Sequence, residues 1–322
     1  MVVTVDRSGA GLRLDRYLVL ALAGREDAPS RTELVRWIEA GQVTVDGAVR
    51  RAKDTVREGS RVEVHPMARA TTDLSPDASV PFEVLHVDDD LVVLVKPSGV
   101  VVHPAPGSQT GTLVHGLLSR GYFHALDAVE GDENVRPGIV HRLDKGTSGV
   151  MVVARTVRAR EGLKVQFQEH TIERAYDAIC VGVASSLTHR TMHGRHPKDR
   201  MKFTSRVTTG KLAVTHIELV ETLAGGRASL ARCRLDTGRT HQIRVHLAEG
   251  GTPVLGDPLY GKPAKDPGVR AVAERLGHQA LHARVLGFVH PGTRQPLRFE
   301  APWPADFTEA VETLRILPPR VG

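Results

Sequence analysis

One carboxylate, Asp144, sits in the stretch His141-Arg142-Leu143-Asp144-Lys145-Gly146-Thr147-Ser148-Gly149, between an arginine and a glycine-flanked hydroxyl turn and directly before the apolar run Val150–Ala154. A carboxylate on a loop that feeds a buried strand can serve as a covalent nucleophile or as a base. An aspartate in a Gly/Thr/Ser cluster also serves as an ordinary N-cap or turn residue. What weighs for chemistry is the company further along the chain. Glu173-Arg174-Ala175-Tyr176 comes first, then Leu235-Asp236-Thr237-Gly238-Arg239-Thr240-His241-Gln242-Ile243-Arg244-Val245-His246, then Gly256-Asp257-Pro258-Leu259-Tyr260-Gly261 and Leu281-His282-Ala283. A carboxylate nucleophile in a closed site must stay ionised although burial raises its pKa, so a cation has to sit against it. A glycosidase-like reaction would need a second carboxylate, and these strings offer none better than Asp257, in a Gly-Asp-Pro turn.

In that order the strings closely resemble the RluA family of RNA pseudouridine synthases, over roughly residues 80 to 300. The resemblance implies that the chain isomerises uridine to pseudouridine in RNA. That reaction breaks a glycosidic C–N bond, turns the uracil and forms a C–C bond at the same ribose carbon, with no redox step, and neither a cofactor nor a metal is expected. Asp144 would add to the substrate or take a proton from the sugar. Arg244 would pair with it, since guanidinium can bind a carboxylate bidentately and stays charged; by itself it also reads as an arginine on a polar helix face. Tyr176 shares a strand face with Arg174, Ala178 and Cys180 and alone would read as a packing residue. The resemblance makes it the tyrosine that packs on the target base and removes the C5 proton, with Ile243 against the ring from another side. A uracil inside folded RNA must be flipped out, and Arg142 matches the family's inserting arginine, while His141 shapes the loop. Lys96, Lys145 and Arg239 are expected near phosphates or in the pocket wall.

Composition suits this reading. With 322 residues and 41% hydrophobic content, the chain can form two domains with sizeable cores. No apolar stretch approaches a membrane span, and Asp6, Arg7, Arg13, Asp15 and Arg16 occupy the place of a signal-peptide core. A cytoplasmic monomer that binds RNA and no membrane is expected. Cys180 and Cys233 lie far apart in strand-like runs, which suggests neither a disulfide framework nor a thiolate cluster. The 16 histidines include no His-Glu-x-x-His spacing. The net charge of +6 is concentrated: residues 186–212 hold Arg190, Arg195, Lys198, Arg200, Lys202, Arg206 and Lys211 against one acid, Asp199, leaving 36 residues of each sign elsewhere. A charge run is often only a solvated face, yet this one, with His189, His193 and His196, could hold a polyanion, and Arg195, Lys198 and Arg200 are its candidate RNA contacts.

The elements that must position these groups are legible in part. Within residues 1–64, Leu14, Tyr17 and Leu18 fall at helical spacing, and Ser30-Arg31-Thr32-Glu33 is a capping box for a helix carrying Leu34, Val35 and Ile38 that ends at Gly41. Val43 and Val45 alternate before an Asp46-Gly47 turn, and Val56, Val62 and Val64 continue a small strand set. This unit resembles an S4 RNA-binding domain; a folding or docking module is the alternative, and Arg31, Arg36, Arg50, Arg51 and Lys53 could gather on one face. Residues 65–80 read as a linker and 81–322 as the synthase domain. There, Leu91–Val95 is a buried run before Lys96-Pro97-Ser98-Gly99, Leu126–Pro137 an acidic loop, Thr156–His170 a helix, Ile172–Val181 and Ala228–Leu235 strands, and Phe307, Ala310, Val311 and Leu314 one face of a final helix. Strands outnumber helices and do not alternate with them, which favours an α+β fold on a mixed, largely antiparallel sheet.

Arg195-His196-Pro197-Lys198-Asp199-Arg200-Met201-Lys202 and Ala213-Val214-Thr215-His216 resemble a subgroup of the family acting on large-subunit ribosomal RNA, which implies 23S rRNA or a pre-ribosomal particle, and the helix 69 stem-loop in particular. Another rRNA site or a tRNA site is the alternative target. The rival classes are a non-catalytic ribosome-assembly factor on the same fold and a nucleosidase that would release free uracil. Gly277-His278-Gln279 precedes Leu281-His282-Ala283 where the family commonly has an arginine.

Overall fold

A computed structural model describes residues 1–25, 28–67, 74–105, 107–122 and 138–318; the acidic loop expected at 126–137 lies outside them. The chain divides into two compact units, Met1–Thr71 and Thr72–Gly322.

The first unit contains β1 (Val2–Thr4), α1 (Leu14–Ala21), α2 (Arg31–Glu39), β2 (Val43–Val45), β3 (Ala48–Val49) and β4 (Arg61–Val64). The strands pair antiparallel in the order β1-β4-β2-β3. Leu14 and Leu18 of α1, Leu34 and Ile38 of α2 and Val43, Val62 and Val64 of the sheet form one core. The capping box at α2 is complete, since the Glu33 N–H donates to Ser30 Oγ at 3.2 Å and the Ser30 N–H to Glu33 Oε2 at 2.7 Å. Asp46 and Gly47 both have positive φ, 53° and 77°, as a two-residue hairpin turn requires. Asp15, 1% exposed, accepts hydrogen bonds from Arg13 at 3.0 Å and Arg31 at 2.7 Å. Burial opposes its charge, but these two guanidinium groups hold its pKa below the ordinary value. Arg31 is thereby engaged within the fold, while Arg50, Lys53 and Arg57 line a cleft of about 460 Å³.

The second unit is built on a ten-stranded sheet. Its strands are β5 (Glu83–Val87), β6 (Leu91–Lys96), β7 (Ser148–Ala154), β8 (Glu173–Val181), β9 (Leu187–Arg195), β10 (Phe203–Thr204), β11 (Lys211–Leu223), β12 (Ala228–Leu235), β13 (Leu281–Val289) and β14 (Pro296–Glu300). The order is β10-β9-β11-β12-β8-β13-β7-β6-β5, with β14 on β13. Among the described strands only β13 and β7 run parallel, so the sheet is mixed and largely antiparallel. The helices are α3 (Leu113–Ser119), α4 (Val157–Gln168), α5 (Gln242–Glu249), α6 (Pro267–Leu276) and α7 (Ala305–Ile316).

Strands β6 and β7 carry the unbroken apolar runs Leu91–Val95 and Val150–Ala154 because both of their faces are covered. Val92, Leu94, Met151 and Val153 pack on one side with Leu113 and Leu117 of α3. Leu91, Val93, Val150 and Val152 pack on the other with Ala159 and Leu163 of α4. A third core joins Ile179 and Leu230 of the sheet to Ile243 and Leu247 of α5, Val269 of α6 and Phe307, Val311 and Leu314 of α7. Each such side chain, wholly buried, contributes about 1.5–3 kcal/mol. Within the stretch expected as linker, Val80 is buried in the first of these cores, beside Leu113 and Leu117, and the Asp77 N–H donates to the His115 carbonyl at 3.0 Å. Residues 74–80 therefore belong, by packing, to the second unit.

Candidate active site

The Asp144 loop is fixed from both ends. Ahead of it, the His141 imidazole stacks on Phe167 of α4 at 4.7 Å and its Nε2 accepts the Val152 N–H at 3.0 Å. Burial, with Arg174 adding to it, pushes His141 down to about 3, so the ring stays neutral and can accept that bond. Behind it, the Thr147 N–H donates to the Asp144 carbonyl at 3.0 Å, and Ser148 Oγ meets His282 Nδ1 at 2.9 Å on the parallel neighbour β13. Gly149 has φ +122°, and a Cβ there would lie 2.3 Å from the Ala283 carbonyl oxygen. Only glycine lets β7 approach β13 this closely while holding that backbone. The Gly-Thr-Ser-Gly turn is thus the joint that seats Asp144 against the sheet.

The opposing wall comes from α5. Gln242, 3% exposed, fastens the start of this helix to β11: its amide donates to the Val214 carbonyl and to Thr215 Oγ1, both at 2.9 Å. Its carbonyl oxygen accepts from Thr237 Oγ1 at 2.8 Å and from the Arg239 N–H at 3.0 Å. Two residues on, Arg244 points inward, 5% exposed. Its Nη1 donates to Asp144 Oδ2 at 2.8 Å, while Nε and Nη2 donate to Asp257 Oδ2 and Oδ1 at 2.7 and 2.8 Å. Burial works against the Arg244 charge, but Asp257 and then Asp144 raise its pKa. Burial also opposes the Asp257 carboxylate, yet Arg244 and the N–H groups of Tyr260 and Leu259 hold it below the ordinary range. The guanidinium is therefore a permanent cation, clamped by one carboxylate and presented to another.

Between the walls lies a small cavity of about 60 Å³ that opens into a cleft of about 260 Å³, and Arg142, Asp144, Tyr176, Leu235, Arg239 and His241 line both. Tyr176 is half-buried on β8. Burial raises its pKa, with Arg174 opposing and Asp144 adding to the effect, so the phenol is protonated in the resting protein. Ile243, 4% exposed, lines the smaller cavity with Arg244. Arg142 is exposed and makes no hydrogen bond among the described residues. Arg239 is half-buried and held by a 2.9 Å bond from Nε to the Leu212 carbonyl.

Lys96 differs from the sequence expectation of a phosphate or pocket-wall contact. It is 0% exposed, and its Nζ donates to the carbonyls of Pro97, Val100 and Lys145 at 2.7, 2.9 and 3.3 Å. Burial draws its pKa down to about 7, against the field of Asp144. All three ammonium hydrogens are engaged, so the side chain ties two loops together instead of meeting ligand. Lys145 is exposed beside it. Arg195, Lys198 and Arg200 are exposed too and do not line the cleft; they lie where β9 turns toward β10, with Arg195 Nη1 donating to the Arg200 carbonyl at 2.5 Å and its guanidinium 4.8 Å from the Phe203 ring centre.

Four residues without an assigned role belong to the site. Asp257 holds Arg244. Gln242 fastens α5. Arg174, 7% exposed, lines the larger cleft and donates to the Asp236 carbonyl at 2.8 Å. His241, with φ +60°, places Nε2 3.8 Å from Asp144 Oδ1. Each stands inside a quoted motif, so motif membership was the available signal. Among the described residues no cluster of His, Cys, Asp and Glu could hold a metal ion, and no helix is long and apolar enough to cross a membrane.

The mixed sheet that carries this cleft falls within a known family: the RNA pseudouridylate synthase profile matches residues 90–249. The chain belongs to that family and is an RNA pseudouridine synthase, an isomerase. An S4 domain profile matches residues 12–62. The chain is 43% identical to the ribosomal large subunit pseudouridine synthase D of Xanthomonas campestris, over 97% of this chain and 91% of that protein. It is 39% identical to the uncharacterized RNA pseudouridine synthase YlyB of Bacillus subtilis, over 97% of each. Among solved structures, human RNA pseudouridylate synthase domain containing 1 superposes with a TM-score of 0.54 at 26% identity, over 71% of this chain and 86% of that one.

Proposed function

We propose that this enzyme converts one or more uridines of 23S rRNA, in the helix 69 stem-loop, to pseudouridine, with Asp144 as the nucleophile. The observation that carries the assignment of Asp144 is its 2.8 Å bond to the clamped Arg244 at the floor of the cleft. The cation holds Oδ2 without consuming the second oxygen, which remains to attack ribose C1′ or to take the C2′ proton. Either route breaks the C1′–N1 bond. The freed uracil anion turns between Tyr176 and Ile243 and bonds to C1′ through C5, which displaces Asp144 or, on the C2′ route, lets Asp144 return its proton to C2′; the Tyr176 phenol gives its hydrogen to N1 and the resulting phenolate takes the C5 proton, so both side chains end unchanged.

The uridine is reached by flipping, and Arg142, exposed and without a partner among the described residues, is free to fill the gap in the RNA stack. Arg239 borders the cleft, and Arg195, Lys198 and Arg200 would follow the phosphate backbone beyond it. Residues 1–64 would add RNA affinity as a separate S4 unit. The cleft is complete within one chain, which supports action as a monomer, and rRNA as substrate supports the cytoplasm as the place of action. The choice of large-subunit rRNA rests on relatives whose names state that substrate.

The test is tritium release from C5-labelled uridine in 23S rRNA, with free uracil assayed alongside. Release without free base is expected from the wild type and none from Asp144→Asn, with RNA binding retained. Free uracil would indicate a nucleosidase, and no release with tight binding an assembly factor. Mapping pseudouridines in strains with and without the protein separates rRNA from tRNA targets.

A further inference from the structure

Behind Asp144 runs a chain of polar contacts that the reaction as described leaves unused. The Phe203 N–H, at the start of β10, donates to Tyr260 Oη at 2.8 Å, and the same Oη lies 2.9 Å from His241 Nδ1. A backbone N–H can only donate, so the phenol oxygen accepts there, and the arrangement that uses its own hydrogen directs it to the imidazole. In that arrangement Nδ1 is the acceptor. A neutral ring with Nδ1 as acceptor carries its hydrogen on Nε2, the atom that faces Asp144 Oδ1 at 3.8 Å. That distance exceeds a hydrogen bond but is closed by a small reorientation of the carboxylate. Asp144 Oδ2 is already engaged by Arg244. The His241 N–H is therefore aimed at the remaining oxygen.

His241 is held for this task at some cost. It adopts φ +60° at the start of α5, a conformation that a β-substituted residue takes up only when its surroundings enforce it. Its ring packs edge-on against Phe203 and Tyr260, with centroids 5.8 and 5.5 Å away. The charged groups that bear on it are Asp144, Arg244, Asp257 and Arg142; burial outweighs the pull of Asp144 and lowers its pKa, which keeps it neutral at physiological pH. Phe203 belongs to the β9–β10 hairpin whose turn carries Arg195, Lys198 and Arg200, and it stacks on His193 of β9 at 5.6 Å.

We infer that Tyr260 and His241 are positioning residues through which the seating of the β9–β10 hairpin sets the hydrogen bonding of Asp144, with Tyr260 fixing His241 as its Nε2–H tautomer. When the hairpin is seated, the Phe203 N–H orients the phenol, the phenol orients the imidazole, and the imidazole offers a hydrogen to the carboxylate. When the hairpin lifts, Tyr260 may donate or accept with equal ease, and the tautomer is no longer specified. The inference rests on the reading that Asp144 is the reacting carboxylate.

The test uses the full chain with ¹⁵N-labelled histidine. Long-range ¹⁵N–¹H spectra of the wild type should show His241 protonated on Nε2 alone. In Tyr260→Phe, which keeps the ring and removes the oxygen, an Nδ1–H population should appear, and the Phe203 amide should exchange with solvent faster. Turnover of C5-tritiated 23S rRNA should fall about tenfold in kcat, the rate equivalent of one net hydrogen bond, with KM changed less than about twofold. An Nδ1–H tautomer in the wild type would overturn the inference without recourse to any variant. So would a Tyr260→Phe protein that loses activity while keeping a single Nε2–H tautomer, since that is a packing defect, or one that changes tautomer at full kcat. Full activity of Asp144→Asn would instead overturn the reading underneath, while the tautomer result stood.

Discussion

Asp257 takes two of the three hydrogen-bonding nitrogens of Arg244, at 2.7 and 2.8 Å, and so leaves Nη1 alone to meet Asp144. The carboxylate that is 0% exposed at its side chain thus decides where the cation points, and the one at the cleft receives what remains. Asp257→Ala should therefore do two things. It strands a buried guanidinium, at a cost to stability of about 3–5 kcal/mol, and it frees Arg244 to turn away from Asp144. Urea denaturation reads the first effect. Asp257→Asn, which keeps the shape, isolates the second: it should remain folded and lose kcat with RNA affinity nearly unchanged. An Asn variant as active as the wild type would show that Arg244 needs no clamp.

The same pair sets an acid limit. The Asp257 pKa is lower in the folded protein than the ordinary value of about 3.9 for the unfolded chain. Its contribution to stability is then complete above that unfolded value and is lost as pH falls through the lower folded one. Stability measured between about pH 5 and 2 should fall less steeply in Asp257→Asn than in the wild type. Equal slopes would mean that other carboxylates govern acid unfolding.

How much of this was legible before the structure differs from residue to residue, for physical reasons. Asp144, Tyr176 and Arg244 stand in strings whose order survives folding, and they do line one cleft, although 100 residues separate Asp144 from Arg244. The sheet class was readable because Leu91–Val95 and Val150–Ala154 are unbroken apolar runs. Strand β9 was not: of its nine residues only His193 is buried, so Leu187–Arg195 carries no alternation and reads as mere charge. Lys96, expected near phosphates or in the pocket wall, is instead buried, because nothing local shows which carbonyls capture it. The carbonyls that capture it belong to Pro97, Val100 and Lys145, the last 49 positions away. Asp257 looked like a turn aspartate and is one, accepting the Leu259 and Tyr260 N–H groups, yet the same carboxylate also grips Arg244. A local pattern explained half of its bonds and concealed the other half.

The joint between β7 and β13 predicts a severe effect from one methyl group. In Gly149→Ala the new Cβ would meet the Ala283 oxygen at 2.3 Å and nitrogen at 2.5 Å, backbone atoms that cannot move aside as a side chain would. The strained φ and the overpacking each cost about 1–3 kcal/mol. The unfolding midpoint should fall accordingly, and the surviving folded fraction should turn over slowly because Asp144 is carried by the displaced turn. Gly107→Ala, at a φ of +86° with open space around it, isolates the backbone term and should be the milder of the two.

The hairpin between β9 and β10 should govern affinity by charge and not by sequence. Arg195, Lys198 and Arg200 are exposed, and Lys202 is half-buried with only a 3.8 Å approach to Asp199, so none is committed to the core. Each contact with a phosphate of single-stranded RNA adds roughly 0.7 to the slope of log affinity against log salt. Replacing all four by Gln should weaken binding at low salt and flatten that slope by up to about 3 units. Because these side chains lie outside the cleft lining, kcat at saturating RNA should change far less than affinity, in contrast to Tyr260→Phe, where kcat carries the loss. If the salt slope stays unchanged, the hairpin turn is a solvated surface, and the phosphates must be held from the cleft rim, where Arg142 and Arg239 stand.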